Sequence, residues 1–93
     1  MLQISRLIWD DWNVEHIAQH AVSPHEVEEV CAGPACWSKT YNDRLRVIGF
    51  TTQQRALTVI LAPKGTTTYY PVTARPASRR ERQLLATPPK EAA

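Results

Sequence analysis

The sequence predicts an α+β domain, a small antiparallel β-sheet with helices packed on it, in the order β-α-α-β-β-β-β-α. Three observations carry this. Apolar residues recur with a helical period in the first third, at Val14, Ile17, Ala18 and Ala21. After Gly33-Pro34 the period changes, and runs rich in Val, Ile, Thr and Tyr follow one another across short polar breaks. A Ser-x-x-Glu box, Ser78 to Glu81, then restarts a helix after the last run. Consecutive strands with helices grouped outside them define the class.

Leu2 to Trp9, with its run Leu7-Ile8-Trp9, reads as the first strand, and Asp10 or Asp11 as the cap of the first helix. The second helix starts with the most complete signal in the chain. Ser23 is the N-cap, Pro24 takes the first helical position, Glu26 closes a capping box, and Val22 with Val27 forms a hydrophobic staple. Val27, Val30 and Cys31 face inward, and Gly33-Pro34 ends the helix. Strands are expected at Cys36–Tyr41, Leu45–Phe50, Ala56–Ala62 and Thr67–Ala74, with turns at Asn42-Asp43 and Pro63-Lys64-Gly65. Ala56–Ala62 is the most apolar and is expected at the centre, buried through Leu57, Val59, Ile60 and Leu61. Pro71 cannot donate to a ladder and marks an edge or a bulge. The last helix covers Arg79 to Leu85.

Length allows one domain over residues 1–86, with a flexible tail at 87–93 containing Pro88-Pro89. Hydrophobic residues make up 43% and charged residues 22% of the chain, ordinary values for a globular protein. No apolar run is long enough to cross a membrane, and no secretion signal is visible, so a cytoplasmic protein without membrane contact is expected. Cys31 and Cys36 make neither a disulfide framework nor a zinc site and read as ordinary buried thiols. The net charge of +2 divides unevenly: residues 1–43 carry −5 and residues 44–93 carry +7. A basic half suits an anionic polymer.

The basic charge concentrates in Thr73-Ala74-Arg75-Pro76-Ala77-Ser78-Arg79-Arg80-Glu81-Arg82, where a strand turns into a capped helix. A helix N-terminus flanked by Arg75, Arg79 and Arg80 is an expected phosphate site, because free N–H groups and guanidinium forks both suit its oxygens. A solvated basic surface is the plainer interpretation of the same residues.

Four short motifs fall in a familiar order: Ile8-Trp9-Asp10, Gln19-His20-Ala21-Val22-Ser23, Val72-Thr73-Ala74-Arg75 and Arg79-Arg80-Glu81. Together, over about residues 4–85, they resemble the BrnT family of small ribonuclease toxins from type II toxin–antitoxin systems. The resemblance implies a RelE-like fold, RNA as substrate, and a co-encoded antitoxin of the ribbon-helix-helix BrnA type. It implies no cofactor. It also implies a site in which His20 transfers protons while Arg55, Arg75 and Arg79 stabilise the phosphate, with Lys64 and Arg80 binding RNA. Metal-independent cleavage by the neighbouring 2′-hydroxyl needs this kind of set: a proton-transfer group and cations for the charge on phosphorus. Gln19, Ala21 and Pro76 stand where the family typically has Lys, Gly and a basic residue. The loss of two positive charges keeps open a second interpretation, a catalytically weak relative that acts as an RNA-binding or protein-interaction module.

Two further sets of side chains weigh less. His16 and His20 are four apart, and His25 follows, but no third metal ligand of suitable spacing accompanies them, so no metal site is expected. Trp9, Trp12 and Trp37 suit stacking on bases, yet packing in a core or a partner interface accounts for them more simply.

Overall fold

The computed structural model describes residues 3–86. The elements follow the expected order: β1 (Arg6–Leu7), α1 (Asp11–Ala18), α2 (Pro24–Ala32), β2 (Ala35–Lys39), β3 (Leu45–Phe50), β4 (Ala56–Pro63), β5 (Thr68–Pro76) and α3 (Arg79–Ala86). The tail expected to be flexible, 87–93, lies outside the described residues.

The strands form one five-stranded sheet in the order β1-β5-β4-β3-β2, so β4 is central as expected. The sheet is mixed rather than purely antiparallel. β1 is only two residues long and runs parallel to β5, with Arg6 opposite Thr68 and Leu7 opposite Tyr69. The remaining pairs are antiparallel. Pro71 sits beside a register shift between Ile60 and Leu61, the bulge its missing N–H demands. Between β2 and β3, Asn42 and Asp43 take left-handed φ values of 70° and 60°. Asn and Asp tolerate that region, which explains the turn read from their sequence.

Alternation along the strands separates two faces. Leu45 and Val47 of β3, Leu57, Val59 and Leu61 of β4 and Ala74 of β5 point to one side. There they form the core with Ile17 of α1 and Val27 and Val30 of α2. Gly49 lets α2 approach, since a Cβ at that position would lie 3.1 Å from both Ala35 Cβ and Val30 Cγ1. The other face carries Ile48, Thr58 and Arg75, and α3 packs across it against β3 and β2. Ile60 belongs to this second face and is only half-buried, so its expected place in the core is corrected: the period of two puts Val59, not Ile60, inside.

The inward face of α1 also differs from expectation. Val14 is half-buried and Ala18 and Ala21 are exposed, whereas Asn13 and Ile17 are completely buried. Asn13 goes inside because every polar atom of its carboxamide finds a partner. Its Oδ1 accepts from the Asp10 backbone N–H at 2.9 Å. Its Nδ2 donates to the Ile8 carbonyl at 2.9 Å and the Pro71 carbonyl at 3.1 Å. One buried amide thus closes the α1 cap and ties α1 to β5. The thiols are corrected as well: Cys31 is half-buried and Cys36 is exposed, and both are free. Burial, with Glu28 nearby, pushes the Cys31 thiol up to about 12.

Removing the Asn13 carboxamide would strand two carbonyls and an N–H. Asn13→Ala is expected to lower unfolding free energy by about 2–4 kcal/mol, given a cost of about 1–3 kcal/mol per buried unsatisfied group. Urea denaturation checks this, and a loss below about 0.5 kcal/mol, the range of ordinary surface changes, would contradict it.

Candidate active site

The Ser78–Glu81 capping box forms as read. The Glu81 backbone N–H donates to Ser78 Oγ at 3.2 Å and the Ser78 N–H donates to Glu81 Oε1 at 2.8 Å. Glu81 does more than cap. Arg75 grips it with both terminal nitrogens, Nη1 to Oε1 at 2.8 Å and Nη2 to Oε2 at 2.9 Å. The Thr58 hydroxyl of β4 donates to the same Oε1 at 2.8 Å. The carboxylate is buried, yet the Arg75 fork, followed by the Ser78 and Thr58 donors, outweighs desolvation and holds its pKa down at about 2. Glu81 in turn raises that of Arg75. At the expected phosphate site, therefore, the chain's own carboxylate occupies one side of the Arg75 fork and the Ser78 N–H. An incoming anion is left with the outer edge of Arg75, which remains 41% exposed, and with Arg79 and Arg80, both exposed. Arg82 folds back, donating to the Ala77 carbonyl at 2.8 Å.

Arg55 precedes β4 at the same end of the sheet. Its Nη1 donates to the Ala21 carbonyl at 2.7 Å and to both Glu26 oxygens at 3.0 and 2.9 Å. It thereby clamps the turn between α1 and α2. Ala21 holds a left-handed φ of 60° in that turn, the position where the resembling family typically has Gly. His20 stands just before it, exposed at the end of α1. Its ring meets that of His16 edge-on at 6.0 Å, and His16 stacks on Trp12 at 4.8 Å. Register and topology set the candidate residues on different faces of the sheet. Arg75 lies on the α3 face and His20 follows a helix of the opposite face, while Arg55 links the His20 turn to the strand end that pairs with the Arg75 end of β5.

Lys64 does not join this group. It lies on the turn between β4 and β5, at the far end of both strands, with its Nζ 6.0 Å from the Tyr70 ring centre. From the rise per residue, that is roughly 20 Å from Arg75. A concavity of about 670 Å³ lies at this far end too, lined by Trp37, Lys39, Leu45, Pro63 and Tyr69. It is therefore remote from the arginine cluster. His25 pairs with Glu29 at 2.9 Å. Among the described residues no group of three or more His, Cys, Asp or Glu side chains gathers as a metal would require. In the sequence Glu81 reads only as a cap, and its pairing with Arg75 and Thr58 emerges in the fold. The signal for the first was present, since Arg75 and Glu81 flank a Pro-containing turn, but the Thr58 contact depends on strand register.

Two helices on one face of a mixed sheet, a third fixed across the other by a buried carboxylate, and cations at the strand–helix junction make a small α+β protein with an arginine-rich end. Its fold is BrnT-like. The chain is similar to the Brucella abortus ribonuclease toxin BrnT, whose crystal structure at 1.1 Å superimposes with a TM-score of 0.64 and 27% identity. The match covers 80% of this chain and 97% of BrnT. No protein-family model matches the sequence, and no curated protein matches it either.

The Glu81 pairing has a pH signature. Its pKa is about 2 in the folded chain against an ordinary 4.5, so its stabilisation is complete above about 4.5 and is lost as pH falls toward 2. Glu81→Gln is expected to cost on the order of 2 kcal/mol at neutral pH, a figure reduced for the exposure of Arg75, and to flatten the acid limb of stability. Urea melts across that range check it. A variant that loses stability with acid as steeply as wild type would contradict the assignment.

Proposed function

We propose that this chain is an endoribonuclease toxin of a type II toxin–antitoxin module, acting in the cytoplasm and neutralised by a co-encoded antitoxin of the ribbon-helix-helix BrnA type. The observation that carries this is the likeness to a ribonuclease toxin across nearly the whole of that protein, with the arginines of the last strand and helix gathered at one end of the sheet. Cleavage would proceed without a metal. The neighbouring 2′-hydroxyl attacks phosphorus, its proton goes to a base, and the 5′-oxygen leaves with a proton from an acid. His20 is the side chain suited to proton transfer near neutral pH. Arg75 and Arg79 offset the charge that builds on the phosphoryl oxygens, and Arg80 and Lys64 hold flanking RNA.

Arg55 takes a supporting part in this scheme. Neutralised by Glu26 and bound to the Ala21 carbonyl, it holds the turn that presents His20. Glu81 likewise orients Arg75, leaving its outer edge for phosphate. Trp12, Trp37, Phe50 and Leu84 are each at least 42% exposed and offer apolar contacts for an antitoxin. The neutralised pairs Arg55–Glu26 and Arg75–Glu81 also favour the second interpretation, a relative that binds RNA with little cleavage.

Cleavage and binding assays on the same preparations separate the two. His20→Ala and Arg75→Ala are each expected to reduce RNA cleavage by roughly two to four orders of magnitude, as for loss of a proton-transfer or electrostatic contributor. His20→Ala should melt like wild type. Arg75→Ala should melt lower, because it leaves Glu81 buried without its cation. Arg82→Ala should cleave normally. RNA binding without cleavage by the wild type would support the weak relative instead, and wild-type cleavage rates in both alanine variants would remove the assigned site.

A further inference from the structure

On the face of the sheet that α3 crosses, the strands set side chains in rows. The row Cys36–Ile48–Thr58–Arg75 runs under α3. The next row is Ser38 on β2, Arg46 on β3, Ile60 on β4 and Thr73 on β5. Each of these four is half-buried, so α3 does not close over them. Arg46 stands out. Its Nε is shut off from solvent and has no hydrogen-bond partner. Among the described residues, Ser38 and Thr73 also make no side-chain hydrogen bond. The row contains no carboxylate. A guanidinium is always charged, and an unsatisfied buried N–H calls for a physical reason. By comparison, Arg75, Arg55 and Arg82 on the same protein all find acceptors.

We infer that this row is a phosphodiester subsite for single-stranded RNA, with Arg46 as the cation and the Ser38 and Thr73 hydroxyls as flanking donors. This rests on the reading of the chain as an RNA-binding toxin and adds a residue to it. Strand spacing puts the Arg46 and Arg75 Cα atoms roughly 12 Å apart, one row and two strands away. An extended strand leaving the Arg75 edge therefore crosses the row within a few nucleotides. A phosphate oxygen over the row meets the terminal nitrogens of Arg46, which are not shut off as its Nε is, and Ile60 forms an apolar floor between the polar groups. Arg46 touches a flanking phosphate and not the reacting one, so it is a positioning residue.

The test uses a short, fully 2′-O-methylated oligoribonucleotide of mixed sequence, which the chain can bind but not cleave by 2′-hydroxyl attack. Binding is measured against salt for wild type, Arg46→Met and Arg46→Gln, alongside melting temperature. Arg46→Met is expected to melt at or above wild type, since it removes an unsatisfied donor and breaks no hydrogen bond. It should bind roughly three- to tenfold more weakly, about equally for different sequences, as for loss of a phosphate contact. The salt slope should fall by about 0.7, the value for one phosphate on a single strand. Arg46→Gln should lose the same slope, which keeps the test decisive if the Met variant does not fold. Wild-type affinity and slope in either folded variant would overturn the subsite while leaving the toxin reading intact. Weaker binding that tracks a large drop in melting temperature would assign Arg46 to the fold and overturn it too. Failure of wild type to bind the probe at low salt would overturn the reading beneath it.

Discussion

The buried carboxylate of Glu81 is the constraint on which the functional end depends. Four hydrogen bonds from three parts of the chain converge on it, two from the Arg75 fork, one from the Ser78 N–H and one from the Thr58 hydroxyl, with Ser78 in turn capping α3. An ionised carboxylate is costly to bury alone and is kept only where donors saturate it. Here that requirement welds the end of β5, the middle of β4 and the start of α3 into one unit. It fixes the direction of Arg75, and it sets α3 across one face of the sheet so that an adjacent row stays half-open. The cost is that part of Arg75's donor capacity is spent inside the protein, so catalysis would draw on its outer edge and on Arg79.

A second clamp works the same way at the other side of that end. Arg55 bridges Glu26, itself the partner of Ser23 in the α2 capping box, to the Ala21 carbonyl. The Ala21 turn is strained, at a left-handed φ where a Cβ is unfavourable by roughly 1–2 kcal/mol. Holding it by a charge-assisted bond positions His20 without burying it. Two ion pairs thus do the same kind of work: each joins a helix start to a strand end, and each leaves a chemically useful side chain facing out.

Much of this was legible in the sequence where the determining chemistry is local. Both Ser-x-x-Glu boxes, the Pro24 start, the Gly33 stop and the Asn42-Asp43 turn are decided within a few residues, and each formed as read. The apolar run at residues 56–62 marked the central strand for the same reason. Features set by distant partners were not legible. Asn13 looks like a surface residue until Pro71, 58 residues away, supplies an acceptor. The parallel pairing of β1, the outward turn of Ile60 and the pairing of Arg55 with Glu26 each depend on register or on contacts between separate elements. The candidate site divides similarly: the arginine-rich junction and the nearness of Glu81 to Arg75 were visible, but the pairing of Arg55 with Glu26, 29 residues away, was not.

The account rests on one chemical claim, that the arginine end of this fold cleaves RNA through the substrate's own 2′-hydroxyl. Analysis of product ends tests it most directly. The purified chain is incubated, in the presence of a metal chelator, with an RNA oligonucleotide and with a copy carrying 2′-deoxyribose at the cleaved position. The account predicts cleavage that the chelator does not stop, products ending in a 2′,3′-cyclic phosphate and a 5′-hydroxyl, and no cleavage at the deoxy position. Cleavage at the deoxy position, or products with a 3′-hydroxyl and a 5′-phosphate, would contradict it.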